Sequence, residues 1–333
     1  MDLITDLKEV VPRLGLAHTS VALGMFDGVH RGHQAVLRRA VARAREEHLI
    51  SVAFTFDRHP FAVTAPDRVP PLITPIEEKA RLISDLGLDV MVVYQFDEAF
   101  ASMDPADFAA SILKDSLRAS RAVVGYNYTF GKGGRGSPEL LKELGLTLGF
   151  GVDVIGPVTL NGMTVGSTEI RTLLSRGDVR SAAMLLGRPF SIRGRVVKGY
   201  GRGSRIGFPT ANVAPPAGVL IPREGVYAVR VLAGNASPGP GHVAEYTGVA
   251  NIGFRPTFSG KERTIEVYIL DFSGNIYGSA ITVQFIDRIR SEIKFDRWES
   301  LRAQIDRDVE IARSILAGRP DSLRQAIYKD YGL

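Results

Sequence analysis

The sequence predicts an α/β protein in which a doubly wound domain is followed by a small antiparallel β-barrel with a terminal helix. Three observations support this fold class. The first half of the chain alternates short apolar runs with helix-patterned stretches, which is typical of a parallel sheet covered on both faces. The second half has short alternating strands between glycine and proline residues, which favours a small barrel. The last segment repeats apolar residues at helical spacing.

Length and composition indicate two domains of ordinary globular character. A chain of 333 residues is about twice the length of a common domain, and we place the boundary near Gly187, which gives domains of residues 1–186 and 187–333. The absence of cysteine excludes disulfides and thiolate zinc sites. The N-terminus does not resemble a secretory signal, and no apolar run is long enough to span a bilayer. These features predict a cytoplasmic protein.

The first domain contains five apolar runs that we predict to be parallel strands, at residues 20–26, 49–56, 89–96, 121–128 and 152–158. Helical patterns lie between them at residues 32–48, 75–87 and 105–117. Doubly wound sheets bind ligands beyond the carboxyl ends of their strands, where strand-to-helix turns converge. The turn that follows the first of these runs is therefore a candidate site.

The second domain is predicted to contain antiparallel strands at residues 191–201, 225–234, 244–253, 263–272 and 280–289. A helix is predicted within residues 295–318, where apolar residues recur at helical spacing. Asp296 and Glu299 resemble a capping box, and Gly318 followed by Pro320 indicates the end of the helix.

Two histidines, His30 and His33, follow the first predicted strand in the stretch GMFDGVHRGH. Their spacing directs both side chains to one side of a helix start, where unpaired N–H groups favour an anion. Two imidazoles there could donate to phosphate oxygens. A zinc site would need a further ligand, and the other histidines are scattered at positions 18, 48, 59 and 242. A surface pair without a role is the third interpretation.

GMFDGVHRGH resembles the signature of the His-x-Gly-His nucleotidyltransferases in the form found in bacterial FAD synthetases. The stretches TFDRHP, VVGYNYTFGKGGRG and GSTEIRTLLSRGDV, which begin at residues 55, 123 and 166, agree with this resemblance. It implies a Rossmann-like nucleotidyltransferase domain in which His30 and His33 are catalytic and stabilise the α-phosphate and departing pyrophosphate of ATP. It also implies further ATP-binding and phosphate-binding residues, which are Gly24, Phe26, Asp27, Gly32, Asn127, Ser167, Thr168 and Arg171.

Arg171 also has a physical argument of its own. If Ser167 or Thr168 caps the helix, Arg171 lies in its first turn, where a cation opposes the helix dipole by about 0.3–1 kcal/mol. A bound anion would reverse that penalty, whereas a solvent-facing arginine would tolerate it.

This chain departs from the family pattern in TFDRHP. Family members usually carry proline at the position where this chain has Arg58.

Two glycine-rich stretches fail as nucleotide loops of other families. In GYNYTFGKGGRG, five residues separate Gly125 from Gly131 and Gly133 replaces the required hydroxyl residue, so the stretch is not a P-loop. In GYGRGSRIGFPTAN, Pro209 follows too soon for a helix to begin, so the dinucleotide-binding loop is excluded.

Thr210 and Asn212 are two residues apart, so on a strand their side chains face the same side. Their hydroxyl and amide oxygens are hard ligands of the kind that Mg²⁺ accepts when phosphates and water complete its coordination. In TIEVYIL, the isoleucines and Val267 face one way and Glu266 faces the other. A lone glutamate on an alternating strand is by default a solvent-side charge.

GRGSRIGFPTANV, GVYAV, VANIGFRPTF, IEVYILDFSGNIYG and the terminal helix resemble the riboflavin kinase domain that follows the adenylyltransferase in bacteria. The resemblance implies that Thr210 and Asn212 bind Mg²⁺ and nucleotide phosphates and that Glu266 is the catalytic base. Its glycine-rich phosphate loop corresponds to the segment from Gly201 to Gly207. It assigns no flavin-binding residue here.

Together the resemblances imply a bifunctional enzyme that converts riboflavin to FMN with ATP and then FMN to FAD, releasing pyrophosphate. Mg²⁺ is the implied cofactor, and riboflavin, FMN, FAD, ATP and pyrophosphate are the implied partners, with neither nucleic acid nor membrane. An acid-free basic stretch from Arg188 to Arg223 leaves a flavin-sensing or nucleic-acid-binding barrel as one alternative. A transferase acting on another phosphate ester is a second. An oligomer is possible, and the sequence determines neither the order of substrate binding nor FMN transfer between sites.

Overall fold

The structure is a computed structural model that describes residues 1–15, 17–199, 207–234, 243–257 and 260–318. The chain divides into two compact units, Met1–Ser167 and Thr168–Leu333. The division of the chain into functional domains at Gly187 stays a prediction. No helix in the described ranges combines the length and the apolar character needed to cross a membrane.

The first unit contains a six-stranded sheet. Its strands are β1 (Asp2–Ile4), β2 (Thr19–Leu23), β3 (Ile50–Phe56), β4 (Val90–Tyr94), β5 (Ala119–Gly125) and β6 (Gly151–Ile155). All neighbours are parallel, in the order β1-β4-β3-β2-β5-β6. Strands β2 to β6 coincide with the five predicted runs. Strand β1 is too short for an apolar pattern to reveal it.

Helices connect these strands, and a hairpin of β7 (Thr159–Leu160) and β8 (Met163–Thr164) follows them. The helices are α1 (Val10–Leu14), α2 (Arg31–Glu46), α3 (Phe61–Thr64), α4 (Ile76–Ser84), α5 (Glu98–Ala101), α6 (Pro105–Asp107) with a π-helix at Phe108–Ser116, and α7 (Pro138–Leu148). Single 3₁₀ turns lie at Leu7–Glu9, Pro66–Arg68 and Lys132–Gly134.

The sheet buries apolar side chains on both faces, which explains why its strands read as nearly continuous apolar runs. On one face, Leu23 and Phe54 belong to a cluster with residues of the π-helix and α7. On the other face, Ala22 and Met91 belong to a cluster with residues of α2 and α4. The doubly wound arrangement is thus confirmed.

The second unit is a closed antiparallel barrel preceded by two helices, α8 (Ser167–Arg176) and α9 (Val179–Leu186). The barrel order is β10-β13-β12-β11-β14-β9, and the strands are β9 (Phe190–Val197), β10 (Thr210–Ala214), β11 (Gly225–Gly234), β12 (Val243–Thr257), β13 (Gly260–Ile269) and β14 (Ala280–Arg290). Helix α9 buries its apolar face and contacts β9 and β14. The predicted barrel is confirmed.

The terminal helix α10 (Trp298–Leu316) contacts β11, β12 and β14. Its N-cap residue is Arg297, which makes no side-chain capping hydrogen bond. The predicted capping box of Asp296 and Glu299 is therefore wrong, because Asp296 lies one residue before the cap. Gly318 has a φ of +69°, consistent with a helix that ends where a left-handed conformation is needed.

Candidate active sites

The turn between β2 and α2 lies at the point where the strand order reverses, because β2 is flanked by β3 on one side and β5 on the other. Ligands of open α/β sheets bind at such a point. The turn contains three residues with positive φ, which are Phe26 at 50°, Gly28 at 89° and Val29 at 40°. A β-branched residue with positive φ is strained by about 1–3 kcal/mol, and such strain concentrates at functional sites.

The turn brings the two predicted histidines together. His30 is the N-cap of α2, and its Nδ1 accepts a hydrogen bond from the backbone N–H of His33 at 3.2 Å. The two rings stack with centroids 3.5 Å apart, and the Phe26 ring meets that of His33 edge-on at 5.4 Å. His30 is 5% exposed. The predicted placement of both side chains at a helix start is confirmed.

Two glycines of the motif make room for these rings. A Cβ atom on Gly32 would lie 3.1 Å from Cε1 of His30, and one on Gly24 would lie 2.9 Å from Cε1 of Phe26. Both distances are shorter than ordinary van der Waals contact. The glycines therefore allow the aromatic side chains to lie directly on the backbone of the turn.

Asp27 is buried and forms hydrogen bonds with distant parts of the first unit. Its carboxylate, in a residue 2% exposed, accepts hydrogen bonds from the backbone N–H groups of Ile73 and Thr74 at 3.0 Å each. Its own carbonyl oxygen accepts from Oγ of Ser167 at 2.9 Å. The family resemblance implied that Asp27 and Ser167 bind phosphates, and these contacts give both residues a part in shaping the turn.

Lys79 is a buried charge beside this turn that the sequence analysis missed. It is 2% exposed, and its Nζ donates to the carbonyl oxygen of Met25 at 2.9 Å. Burial lowers the pKa of Lys79 to about 8, against the opposing attraction of Asp27. A signal was present in the sequence, because Lys79 lies between Ile76 and Ile83 on the apolar side of α4.

The remaining candidate residues of the first site lie outside the turn between β2 and α2. Asn127 is exposed just beyond the end of β5, and Thr168 is exposed near the start of α8. Arg171 is the fifth residue of α8, because the helix already begins at Ser167. The expectation that Arg171 lies in the first turn is therefore wrong, and the opposing effect of the helix dipole on it is weaker than predicted.

The segment that contains the unusual Arg58 has an ion pair and hydrogen bonds to nearby backbone groups. Arg58 pairs with Asp57, with Nη2 2.8 Å from Oδ2, and the other oxygen of Asp57 accepts from the N–H of Phe96 at 3.0 Å. Burial pushes the pKa of Asp57 up, but hydrogen bonds from Arg58 and Phe96 outweigh it and hold this pKa below its usual value. Nδ1 of His59 accepts from the N–H of Phe61 at 3.1 Å.

An aromatic cavity of about 420 Å³ lies in the first unit, close to this segment. One wall consists of glycines in the turn after β5, the stretch that resembled a P-loop. The aromatic lining residues are Phe56, Phe61, Phe96, Phe100, Phe108, Tyr128 and Phe130. Flat aromatic walls suit a flat aromatic ligand.

In the barrel, strand register gathers the second set of candidates. Asn212 pairs with Glu266 across β10 and β13, and Glu266 pairs with Asn251 across β13 and β12. Thr210 pairs with Tyr268 two residues along the same face. Paired residues of neighbouring strands point to the same face of a sheet. The structure thus aligns Thr210, Asn212 and Glu266, and adds Asn251 and Tyr268, which the sequence analysis missed.

Alternation along β13 is confirmed, because Ile265, Val267 and Ile269 are at most 6% exposed while Glu266 is partly exposed on the opposite face. Glu266 lies in a cavity of about 530 Å³, whose wall includes residues of the terminal helix. A second cavity of about 370 Å³ is lined by residues from Phe272 to Tyr277. Thr210 lines both cavities.

The predicted phosphate loop of the barrel is described only at its end. Gly201 lies outside the described residues, and Gly207 is exposed with a φ of +91°. Across the described ranges, no three His, Asp or Glu side chains cluster as metal ligands would. The zinc interpretation of the histidine pair therefore gains no support.

The chain is similar to known proteins over most of its length. Residues 15–169 match the sequence model of FAD synthetase, and residues 186–316 match that of riboflavin kinase. The bifunctional riboflavin kinase/FMN adenylyltransferase of Bacillus subtilis is 40% identical over 300 residues, which are 89% of this chain and 92% of that protein. The Escherichia coli K12 protein of the same name is 38% identical over 293 residues, 88% of this chain and 91% of that protein.

A solved structure is similar to this chain over most of its length. It is described as a macrolide-efflux protein from Streptococcus pneumoniae, and it superposes with a TM-score of 0.83 at 34% identity, covering 93% of this chain and 98% of that one. The two sequence matches fall in the order in which the two sites occur along the chain.

Proposed function

This chain belongs to the bifunctional riboflavin kinase/FMN adenylyltransferase family and makes FMN from riboflavin and FAD from FMN, and we propose how its residues divide the two reactions. The barrel carries out the kinase reaction. The observation that supports this most is the register that aligns Asn212, Glu266 and Asn251 beside Thr210, at the junction of two cavities.

In the kinase reaction, Glu266 accepts the proton of the ribityl 5′-hydroxyl of riboflavin as that oxygen attacks the γ-phosphorus of ATP, and ADP leaves as the bond from the γ-phosphorus to the bridging oxygen breaks. Riboflavin occupies the cavity of about 530 Å³, because Glu266 must contact its hydroxyl, and the nucleotide occupies the cavity of about 370 Å³. Gly201 and Gly207 belong to the loop that holds its phosphates. Phosphoryl transfer otherwise depends on positioning and charge neutralisation.

Mg²⁺ fits the residues present. The hydroxyl of Thr210 and the amide oxygen of Asn212 lie on one face of the sheet, beside the carboxylate of Glu266. Such hard oxygens, with phosphates and water, are the ligands that Mg²⁺ prefers. The ion would neutralise charge on the phosphates, and Thr210 and Asn212 would hold it.

In the adenylyltransferase reaction, a phosphate oxygen of FMN attacks the α-phosphorus of ATP and pyrophosphate leaves. His30 and His33 donate to the phosphate oxygens whose charge grows in the transition state, an effect that is strong in a preorganised site. Asn127, Thr168 and Arg171 bind ATP. Gly24, Phe26 and Gly32 form the surface of the turn, which Asp27 and Ser167 hold in shape.

The isoalloxazine ring of FMN binds in the aromatic cavity of about 420 Å³. Its flat aromatic walls in the first unit support this assignment.

The proposed domain limits follow the order of the two sites. The adenylyltransferase domain comprises residues 1–186, and the kinase domain comprises residues 187–333. The proposed location of the enzyme is the cytoplasm.

One incubation tests the proposal. Purified full-length protein with riboflavin, ATP and Mg²⁺ should form FMN first and FAD later, measured by separating the flavins over time. His30→Ala with His33→Ala should abolish FAD formation while FMN formation continues at the wild-type rate. Loss of both activities in a folded variant would contradict the assignment of the histidines to the second reaction alone.

A further inference from the structure

A buried ion pair joins the last barrel strand to the terminal helix. Arg290, at the end of β14, donates from Nε to Oδ1 of Asp308 at 2.9 Å and from Nη2 to Oδ2 at 2.7 Å. The side chains of Arg290 and Asp308 are 10% and 2% exposed. The amide of Gln304 donates to the same carboxylate at 3.0 Å, and Nη1 of Arg290 donates to the carbonyl oxygen of Ser291 at 2.9 Å.

Net stability does not explain such a pair. Removal of two charges from water costs several kcal/mol per ion, and apolar residues of similar volume often replace a buried pair without loss of stability. What the pair does provide is geometry, because the forked N–H groups of an arginine meet both oxygens of a carboxylate in one planar arrangement.

Helix α10 is held differently in its two halves. In the C-terminal half, Ile311, Ala312 and Ile315 are buried in a cluster with residues of β11 and β12. In the N-terminal half, residues 298–308, all of which the structure describes, the buried side chains are Gln304 and Asp308. Trp298 is 57% exposed. The orientation of this half therefore depends on the contacts of Gln304 and Asp308.

The N-terminal half is also the part of the helix that faces Glu266. Leu301, Ile305 and Asp308 line the cavity of about 530 Å³ from the helix, and Arg290 lines it from the strand. A rotation of the helix about its axis would change the width of that cavity. The ion pair thus fixes one wall of the space in which Glu266 lies.

We propose that Arg290 and Asp308 are positioning residues for riboflavin, which hold the terminal helix as the wall of the cavity that contains Glu266. This inference rests on the assignment of that cavity to riboflavin. The pair acts through the helix and does not touch the reacting atoms. It therefore affects how firmly and how accurately riboflavin is held beside the base.

The test is a double variant of the full-length enzyme, Arg290→Met with Asp308→Leu, which removes both charges and leaves neither buried alone. We expect its unfolding temperature to be unchanged or higher and its KM for riboflavin to rise by about tenfold or more. The KM for ATP in the kinase reaction and the rate of FAD formation from FMN should stay at wild-type values. Arg290→Lys, which keeps the charge and loses the fork, should raise the KM for riboflavin by a smaller factor.

The same helix offers a matched control. Arg313 pairs with Asp271, with Nη2 2.8 Å from Oδ1, and both side chains are more than half exposed. Arg313→Gln with Asp271→Asn should leave the KM for riboflavin unchanged. An equal rise of this KM in the control would overturn the proposal. A wild-type KM and kcat in the double variant of Arg290 and Asp308 would also overturn it. If the double variant does not fold, a wild-type KM in both Arg290→Lys and Asp308→Asn overturns it. Wild-type enzyme that makes no FMN would instead refute the proposed function.

Discussion

The two proposed active sites of this chain are built by different structural means. In the barrel, Asn212, Glu266 and Asn251 are neighbours because three strands pair in one register. At the histidine turn, His30 and His33 are neighbours because a strained turn forces them together. A site of the first kind uses backbone hydrogen bonds that the fold makes in any case, whereas a site of the second kind needs added support.

That support comes from residues distant in sequence. The carboxylate of Asp27 binds the backbone of Ile73 and Thr74, and Lys79 binds the carbonyl oxygen of Met25. We therefore expect substitutions in the barrel site to affect chemistry and little else. Substitutions around the histidine turn should affect stability and chemistry in different directions.

The largest effect is expected at the barrel site. Glu266→Ala removes the proposed general base and should lower kinase turnover by about 10²–10⁴-fold, the usual contribution of a positioned base. FAD formation from FMN and the unfolding temperature should be unchanged, because Glu266 is partly exposed and the strand register does not depend on it. Glu266→Gln serves as the isosteric control and should be nearly as slow. Unchanged kinase turnover would remove Glu266 from the mechanism.

The second effect concerns the buried charge that supports the turn. The fall in the pKa of Lys79 from 10.5 to about 8 corresponds to a cost of roughly 3 kcal/mol for keeping its charge buried at neutral pH. Between these two values the unfolded chain binds one more proton at Lys79 than the folded chain, so the free energy of unfolding rises with pH. Lys79→Met abolishes this titration.

Urea unfolding of both proteins at pH 7.5 and pH 10 provides the measurement. As the pH rises through this range, the wild type should gain stability relative to the variant by up to roughly 3 kcal/mol. Other titrating groups cancel in the difference between the two proteins. A difference that does not depend on pH would show that Lys79 is not a costly buried charge.

The third effect separates stability from activity at the turn. Gly32→Ala adds a Cβ atom 3.1 Å from Cε1 of His30, so the ring must move by a few tenths of an ångström. Alanine is also favoured over glycine in a helix by about 1 kcal/mol. We expect FAD formation to fall about tenfold while stability is unchanged or higher, because small displacements of catalytic groups reduce rates steeply. A wild-type rate of FAD formation would mean that the turn tolerates such movement, and kinase turnover is the internal control.

The same contrast explains what the sequence could predict. Alternation within a strand is local, so it correctly placed Thr210 with Asn212 and separated Glu266 from its buried neighbours. Register between strands is not local, and for this reason Asn251 was missed even though VANIG was recognised as part of the resemblance. Apolar runs likewise predicted the sheet and barrel, since burial on one or both faces leaves a direct trace in composition.

At the histidine turn, local pattern placed the residues and misjudged what some of them contact. The carboxylate of Asp27 binds backbone groups more than forty residues away, and no spacing rule reveals such a contact. Arg171 was expected in the first turn of its helix, but the helix already begins at Ser167, one of the two residues that the sequence suggested as its cap. Helix boundaries depend on competing backbone contacts, and these are the least visible feature of a sequence.

The smallest effect is expected where this chain departs from its family. Arg58→Pro removes the exposed pair with Asp57 and the backbone N–H that Arg58 also donates to this carboxylate, whereas the other oxygen of Asp57 keeps its hydrogen bond from Phe96. Because the pKa of Asp57 lies below its ordinary value, the pair stabilises the protein at pH values above the ordinary pKa of a carboxyl group. This contribution to stability is lost as the pH falls through the pKa of Asp57 in the folded state. Exposed pairs contribute little, so FAD formation at pH 7 should change by about twofold or less. Assays of FAD formation and urea unfolding at pH 7 and pH 3 check this, and a large loss of activity at pH 7 would show that Arg58 serves the histidine site directly.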